Sequence, residues 1–144
     1  MGFKAGRTAA SHGRREILDL GTDSALVLTQ GHTNTTILCG GATCAVTLPN
    51  ANTLSVGWNV KFVVDDETAV TTITGVAEQC LGKVITGGDN AKRQLNPPTA
   101  ILFDVITLAG GALVGDWCEI TCITSGFFFV RGDSRVANAI TCTT

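Results

Sequence analysis

Six cysteines, two histidines and a short acidic run are the side chains of this 144-residue chain best equipped for chemistry. Cys118 and Cys122 lie four apart in DWCEITCI, a stretch that alternates like a strand. On a strand they share one face about 13 Å apart at ~3.3 Å per residue. That is too far to hold one zinc ion through bonds of about 2.3 Å. Cys39 and Cys44 flank Gly-Gly-Ala-Thr, a plausible hairpin turn across which the two thiols could face each other and form a disulfide. There is no Cys-x-x-Cys pair, and His12 and His32 are not at a metal-ligand spacing. The basic start is not followed by the apolar stretch of a secretory signal, and Gly6 stands where a myristoylation signal wants Ser or Thr. The expectation is a reducing compartment in which free, buried thiols serve as small hydrophobes. Neither a metal nor a cofactor is expected.

The remaining candidates are weaker. Asp65, Asp66 and Glu67 cluster at the end of a strand without the spaced ligands of a calcium loop, and read as a polar turn. CLGKV and GGALVG match neither a phosphate loop nor a dinucleotide fingerprint. His32 is left as the one plausible imidazole base, and no nucleophile elbow or carboxylate pair accompanies it, so an enzyme is not expected. Arg131-Gly132-Asp133 is placed where a strand ends and the chain turns, which is ordinary turn chemistry and not an adhesion site.

Charge points elsewhere. Charged residues make up only 15% of the chain, against about 25% in an average soluble domain. Mean hydropathy is +0.30, yet no apolar run reaches the ~18 residues of a membrane span, so no membrane partner is expected. A small chain with so little charge cannot coat its own surface, and coverage by further copies is the economical reading. Lys4, Arg7, Arg14 and Arg15 put four positive charges and no acid in the first fifteen residues, leaving six basic against twelve acidic residues behind them. Residues 1–16 therefore read as an extended basic arm that grips an acidic partner, on a folded body over 17–144. Four charges without an aromatic platform make a poor case for nucleic acid.

These groups must be positioned by strands. Ten candidates, 25–29, 34–39, 44–49, 58–66, 69–74, 80–86, 100–108, 116–123, 126–132 and 135–142, are rich in Thr, Val, Ile and Phe and separated by Gly, Asn, Asp and Pro. Only 15–21 could give a helical turn, and the polar stretch 87–98 is the longest connection. The fold class is all-β: a single jelly-roll-like β-sandwich or a partly open barrel. Trp58, Val60, Phe62 and Val64 share one strand face. Trp117, Glu119 and Thr121 project opposite to Cys118, Ile120 and Cys122. Phe127, Phe128 and Phe129 cannot all face one core. With Trp58, Phe62 and Trp117 they are expected to form the core and a subunit interface.

The order CAVTLPNANTLSVGWNVKFVVDD, TTITG and ITLAGGALVGDWCEITCITSGFFFVRGDS resembles a β-module of tailed-bacteriophage structural proteins. Its elements are Leu48-Pro49 before a small-residue loop, Gly57 to Val64, Gly115 to Ile120, and an aromatic strand from Gly126 to Gly132. The resemblance covers roughly residues 42–134, and Phe127 to Phe129 replace the usual Trp-Tyr. It implies a head decoration (cement) protein, usually trimeric, that clamps the phage major capsid protein on the capsid exterior after synthesis in the host cytoplasm. Its alternative is a tail-fibre or receptor-binding tip that recognises host glycans, and a cellular β-sandwich binding module is a more distant reading.

Overall fold

Alternating apolar and polar residues, broken by Gly and Asn, give twelve short strands in a computed structural model that describes residues 15–41, 43–87, 94–96 (as backbone), 102–124 and 126–144. In chain order they are β1 (Glu16–Asp19), β2 (Ala25–Val27), β3 (Thr35–Cys39), β4 (Cys44–Thr47), β5 (Asn59–Val64) and β6 (Thr71–Thr74). There follow β7 (Cys80–Thr86), β8 (Gln94–Asn96), β9 (Val105–Leu108), β10 (Trp117–Thr124), β11 (Phe127–Ser134) and β12 (Ile140–Thr143). One sheet runs β1-β3-β5-β10-β11-β7-β8 and the other β12-β9-β6-β4-β2. The all-β, two-sheet architecture expected from the sequence is present.

Its topology differs from a jelly roll, whose strands are antiparallel. The first six strands alternate between the sheets, so β1, β3 and β5 stack in parallel in one while β2, β4 and β6 stack in parallel in the other. Three flattened coils result. The coils differ in length, with Glu16 opposite Thr35 and Thr35 opposite Val60, which is why no fixed repeat shows in the sequence. Later strands close the layers largely by antiparallel pairing, β10 between β5 and β11, and β9 between β6 and β12.

Three local expectations are corrected. Residues 16–19 form strand β1 instead of a helical turn, because a seven-residue helix cannot repay its own nucleation whereas β3 offers a ready ladder. The segment 135–142 is strand only from Ile140 onward, since β11 continues through Ser134 and a turn with Asn138 at φ 58° follows. Cys39 and Cys44 do not flank a hairpin. They end β3 and begin β4, which belong to opposite sheets, and both thiols are free and buried.

The core fills the space between the layers. Trp58, Phe62, Phe103 and Phe128 are its largest fully buried side chains, joined by Ile37, Ile73, Ile106, Ile120 and Ile140. The Trp58 and Phe128 rings meet at 5.8 Å between centroids, tilted by 55°, within the favourable range for aromatic pairs. Buried Trp58 also donates its indole N–H to Thr29 O at 3.0 Å, so its polar atom is satisfied. Gly132 is required at its position: a Cβ there would lie 2.4 Å from the Trp117 carbonyl oxygen.

Candidate interaction face

The outward side of the seven-stranded sheet gathers the features that the sequence singled out. Its burial alternates along β11, where Phe128 and Val130 are fully buried while Phe127 and Phe129 stay 38% and 39% exposed. Three cross-strand rows lie on this face. One runs Asp19, Leu38, Val63, Trp117, Asp133 and Ile85, and another runs Asn59, Thr121, Phe129 and Leu81. Between them lies a row of Ile17, Thr36, Lys61, Glu119, Arg131 and Lys83. Phe127 and Ile123 extend the apolar surface past the end of these rows.

Glu119 holds the middle of the face. One carboxylate oxygen accepts from Arg15 at 3.0 Å, and the other accepts from Arg131 Nη2 at 2.8 Å and Nε at 3.2 Å. Burial works to raise its pKa, but the hydrogen bonds and charges of Arg131 and Arg15 outweigh that and hold it below the usual carboxylate value. Lys61 places its ammonium 4.5 Å from the centroid of the Trp117 ring, a cation–π contact. The central carboxylate is thus answered within the face, while Ile17, Ile85, Ile123, Phe127 and Phe129 remain partly exposed.

At the far end of β10, Asp116 ties the loop before the strand to the end of β11. Its carboxylate accepts from the Leu113 N–H at 3.0 Å, the Ser134 hydroxyl at 2.9 Å, and the Arg135 Nε at 2.9 Å and backbone N–H at 3.3 Å. Burial again opposes ionisation, and these donors, Arg135 first, keep the pKa low. Gly57, Gly115 and Gly126, the three glycines that open the resembling segments, all have φ near +90°, a conformation that side-chain-bearing residues rarely adopt. Those motif positions are therefore explained by backbone geometry.

The other sequence-derived candidates divide clearly. Trp58, Phe62 and Phe128 belong to the core, whereas Trp117, Phe127 and Phe129 stand on the outer face. Arg15, read as part of the arm, pairs with Glu119; Lys4, Arg7 and Arg14 lie outside the described residues. Arg131-Gly132-Asp133 is in mid-strand instead of a turn, paired to β10 on one side and β7 on the other. All six thiols are buried with raised pKa, Cys39 to about 11 and Cys80 and Cys142 to about 12, chiefly because burial disfavours the thiolate. Among the described residues no group of three His, Cys, Asp or Glu side chains could hold a metal ion, and no helix is long and apolar enough to cross a membrane. Sequence reasoning passed over two separate ion-paired groups, Glu119 with Arg131 and Asp116 with Arg135. The available signal was an acid at an outward strand position beside two apolar neighbours. Comparison of the chain with protein-family models, with curated proteins and with solved structures finds no match.

Proposed function

We propose that the chain is a viral structural protein: a head decoration (cement) protein of a tailed bacteriophage, trimeric, bound to the outside of the shell and stabilising contacts between major capsid subunits. The observation that carries this reading is the apolar outer face with Phe127 and Phe129 half uncovered, on a module whose Leu-Pro, Gly-x-x-V and Gly-Asp segments resemble those of phage structural proteins. Such a protein works by binding and needs neither a catalytic group nor a cofactor. Lys4, Arg7 and Arg14, with Arg15 as the point where the arm meets the body, would provide the grip on acidic or hydrogen-bonding shell surface. Fourteen extended residues reach about 46 Å at ~3.3 Å each, enough to cross a subunit joint.

The test is add-back to particles lacking the protein. Full-length chain should decorate the shell with an affinity that falls as salt rises, because exposed charge pairs are screened over about 8–10 Å. Deletion of residues 1–14, which leaves Arg15 to pair with Glu119, should keep the β-body folded and lose most binding. Equal decoration by the truncated chain would remove the arm from the mechanism, and location at the tail would overturn the head assignment. Exposed Phe127 and Phe129 favour one second reading, a receptor-binding module that stacks aromatics on host glycans. Saturable binding to surface glycans, abolished by Phe129→Ala, would support it over the first.

A further inference from the structure

We infer that the outer face of the seven-stranded sheet is the contact between copies of this chain. The inference deepens the proposed function by locating the subunit contact, and depends on that reading only for the number of copies. Ile17 is 72% exposed at the edge of this face, and Ile85, Ile123, Phe127 and Phe129 remain 38–39% exposed. The last four leave roughly 300 Å² uncovered, in two groups on either side of the charged row of Lys61, Glu119, Arg131 and Lys83. Half-buried Trp117, Val63, Leu38 and Leu81 continue the same surface.

The occupant follows from charge and extent. Glu119 is answered by Arg15 and Arg131, and Lys61 rests on Trp117. With Lys83, Asp19 and Asp133 counted, the described residues of the face carry four positive and three negative charges, so it offers no dominant field to a strongly acidic or basic partner. Apolar surface of near-neutral charge is the composition of permanent contacts between like subunits. Seven strands at about 4.8 Å spacing make a face roughly 29 Å wide, and β10 is about 26 Å long at ~3.3 Å per residue, so a second copy laid across it can bury the ~800 Å² per partner of a stable interface.

The experiment is sedimentation equilibrium on the full chain from about 1 to 100 µM, with circular dichroism and melting curves as the check on folding. Wild type should sediment as a multiple of 14.9 kDa. F127S/F129S should dissociate at least 100-fold more readily while melting cooperatively, and the milder F127A/F129A should shift in the same direction. T72K/T74K, on the outer side of the other sheet, should keep the wild-type mass. A monomeric wild type at 100 µM, or an unchanged mass in both Phe pairs, overturns the inference. A monomer that decorates particles through Phe127 and Phe129 assigns the face to the shell protein, leaving the decoration reading intact. A Phe-dependent oligomer that never binds particles does the reverse.

Discussion

The two sheets have inner faces of the same kind and outer faces of opposite kinds. Inward, both present aliphatic and thiol side chains with almost no exposure, to which the seven-stranded sheet adds Phe62 and Phe128. Outward, the five-stranded sheet presents Thr141, Thr107, Thr72, Ala45 and Ala25 in one row, and Thr143, Val105, Thr74, Thr47 and Val27 in the next. No charge and no aromatic ring occurs in either row. Threonine suits both demands there: its branched Cβ favours the extended backbone and its hydroxyl keeps water on the surface. The seven-stranded sheet instead carries Phe127, Phe129, Trp117 and Ile85 around an ion-paired Glu119. Low charge content therefore belongs to the five-stranded sheet, where hydroxyls stand in place of charges, while the seven-stranded sheet keeps a charged row of Lys61, Glu119, Arg131 and Lys83 between its exposed apolar side chains.

The largest effect should come from the ladder that makes the second face. Gly132→Ala would drive a Cβ to 2.4 Å from the Trp117 carbonyl oxygen and 2.9 Å from the Cys118 Cα. Neither is a flexible side-chain tip, so β10 and β11 must separate, at a cost above about 4 kcal/mol. Loss of the cooperative urea transition is the expected readout. A stable, folded Gly132→Ala would mean that the two strands pack more loosely than described.

Next in size is the contrast within β11. Phe128→Ala removes a fully buried ring from against Trp58 and should destabilise by about 3–5 kcal/mol. Phe129→Ala should cost only about 1–2 kcal/mol in the dissociated chain, because its ring is already 39% exposed. Denaturant melts at low protein concentration measure both. Equal losses would show that the outer rings belong to the fold of each copy and that the outer face is no different in kind from the inner one.

What the sequence made legible follows from period two. Trp58, Val60, Phe62 and Val64 alternate with half-buried positions and all lie in the core as read. The split of Cys118, Ile120 and Cys122 from Trp117, Glu119 and Thr121 holds for the same reason. Sheet assignment was not legible. A strand such as Cys44–Thr47 has the same pattern whether it turns back beside Cys39 or crosses to the opposite layer, and the choice depends on distant partners such as β6. Strand β1 was missed because its exposure, with Ile17 at 72%, leaves little alternation to detect. The central carboxylate escaped notice because its partners Arg15 and Arg131 lie 104 and 12 residues away.

The ion pairs predict a smaller effect with a defined pH sense. Asp116 and Glu119 both have folded pKa values below the ordinary ones, which are about 3.9 and 4.3 for Asp and Glu. Their stabilisation is complete above those unfolded values and is lost as pH falls through the folded ones. Glu119→Gln should cost about 1–2 kcal/mol at pH 7, discounted because Arg15 and Arg131 are 41% and 62% exposed. The variant should also flatten the loss of stability between about pH 5 and pH 2. Wild type and Glu119→Gln with parallel pH profiles would show that this carboxylate contributes no linkage and that the face is held by apolar contact alone.

The smallest effect should fall on the threonine face. Thr72 and Thr74 point away from the core on β6, between β4 and β9. A lysine at either site keeps its ammonium in water and lays its methylene stem along the sheet. Neighbours across the ladder at Thr72 are Ala45 and Thr107, and at Thr74 they are Thr47 and Val105. None is charged, so no ion pair is broken and no like charge is brought opposite. The remaining penalty is the lower strand preference of Lys relative to Thr, so each change should stay within about 0.5 kcal/mol. Thermal melts compare each lysine variant with wild type, and sedimentation reports whether the assembled mass is kept. A loss near 2 kcal/mol, or dissociation equal to that of the Phe127 and Phe129 variants, would mean that this face is covered as well. The molecule would then be a layer buried on both sides in its assembly, and the difference between its two outer faces would lie in the chemistry of two contacts.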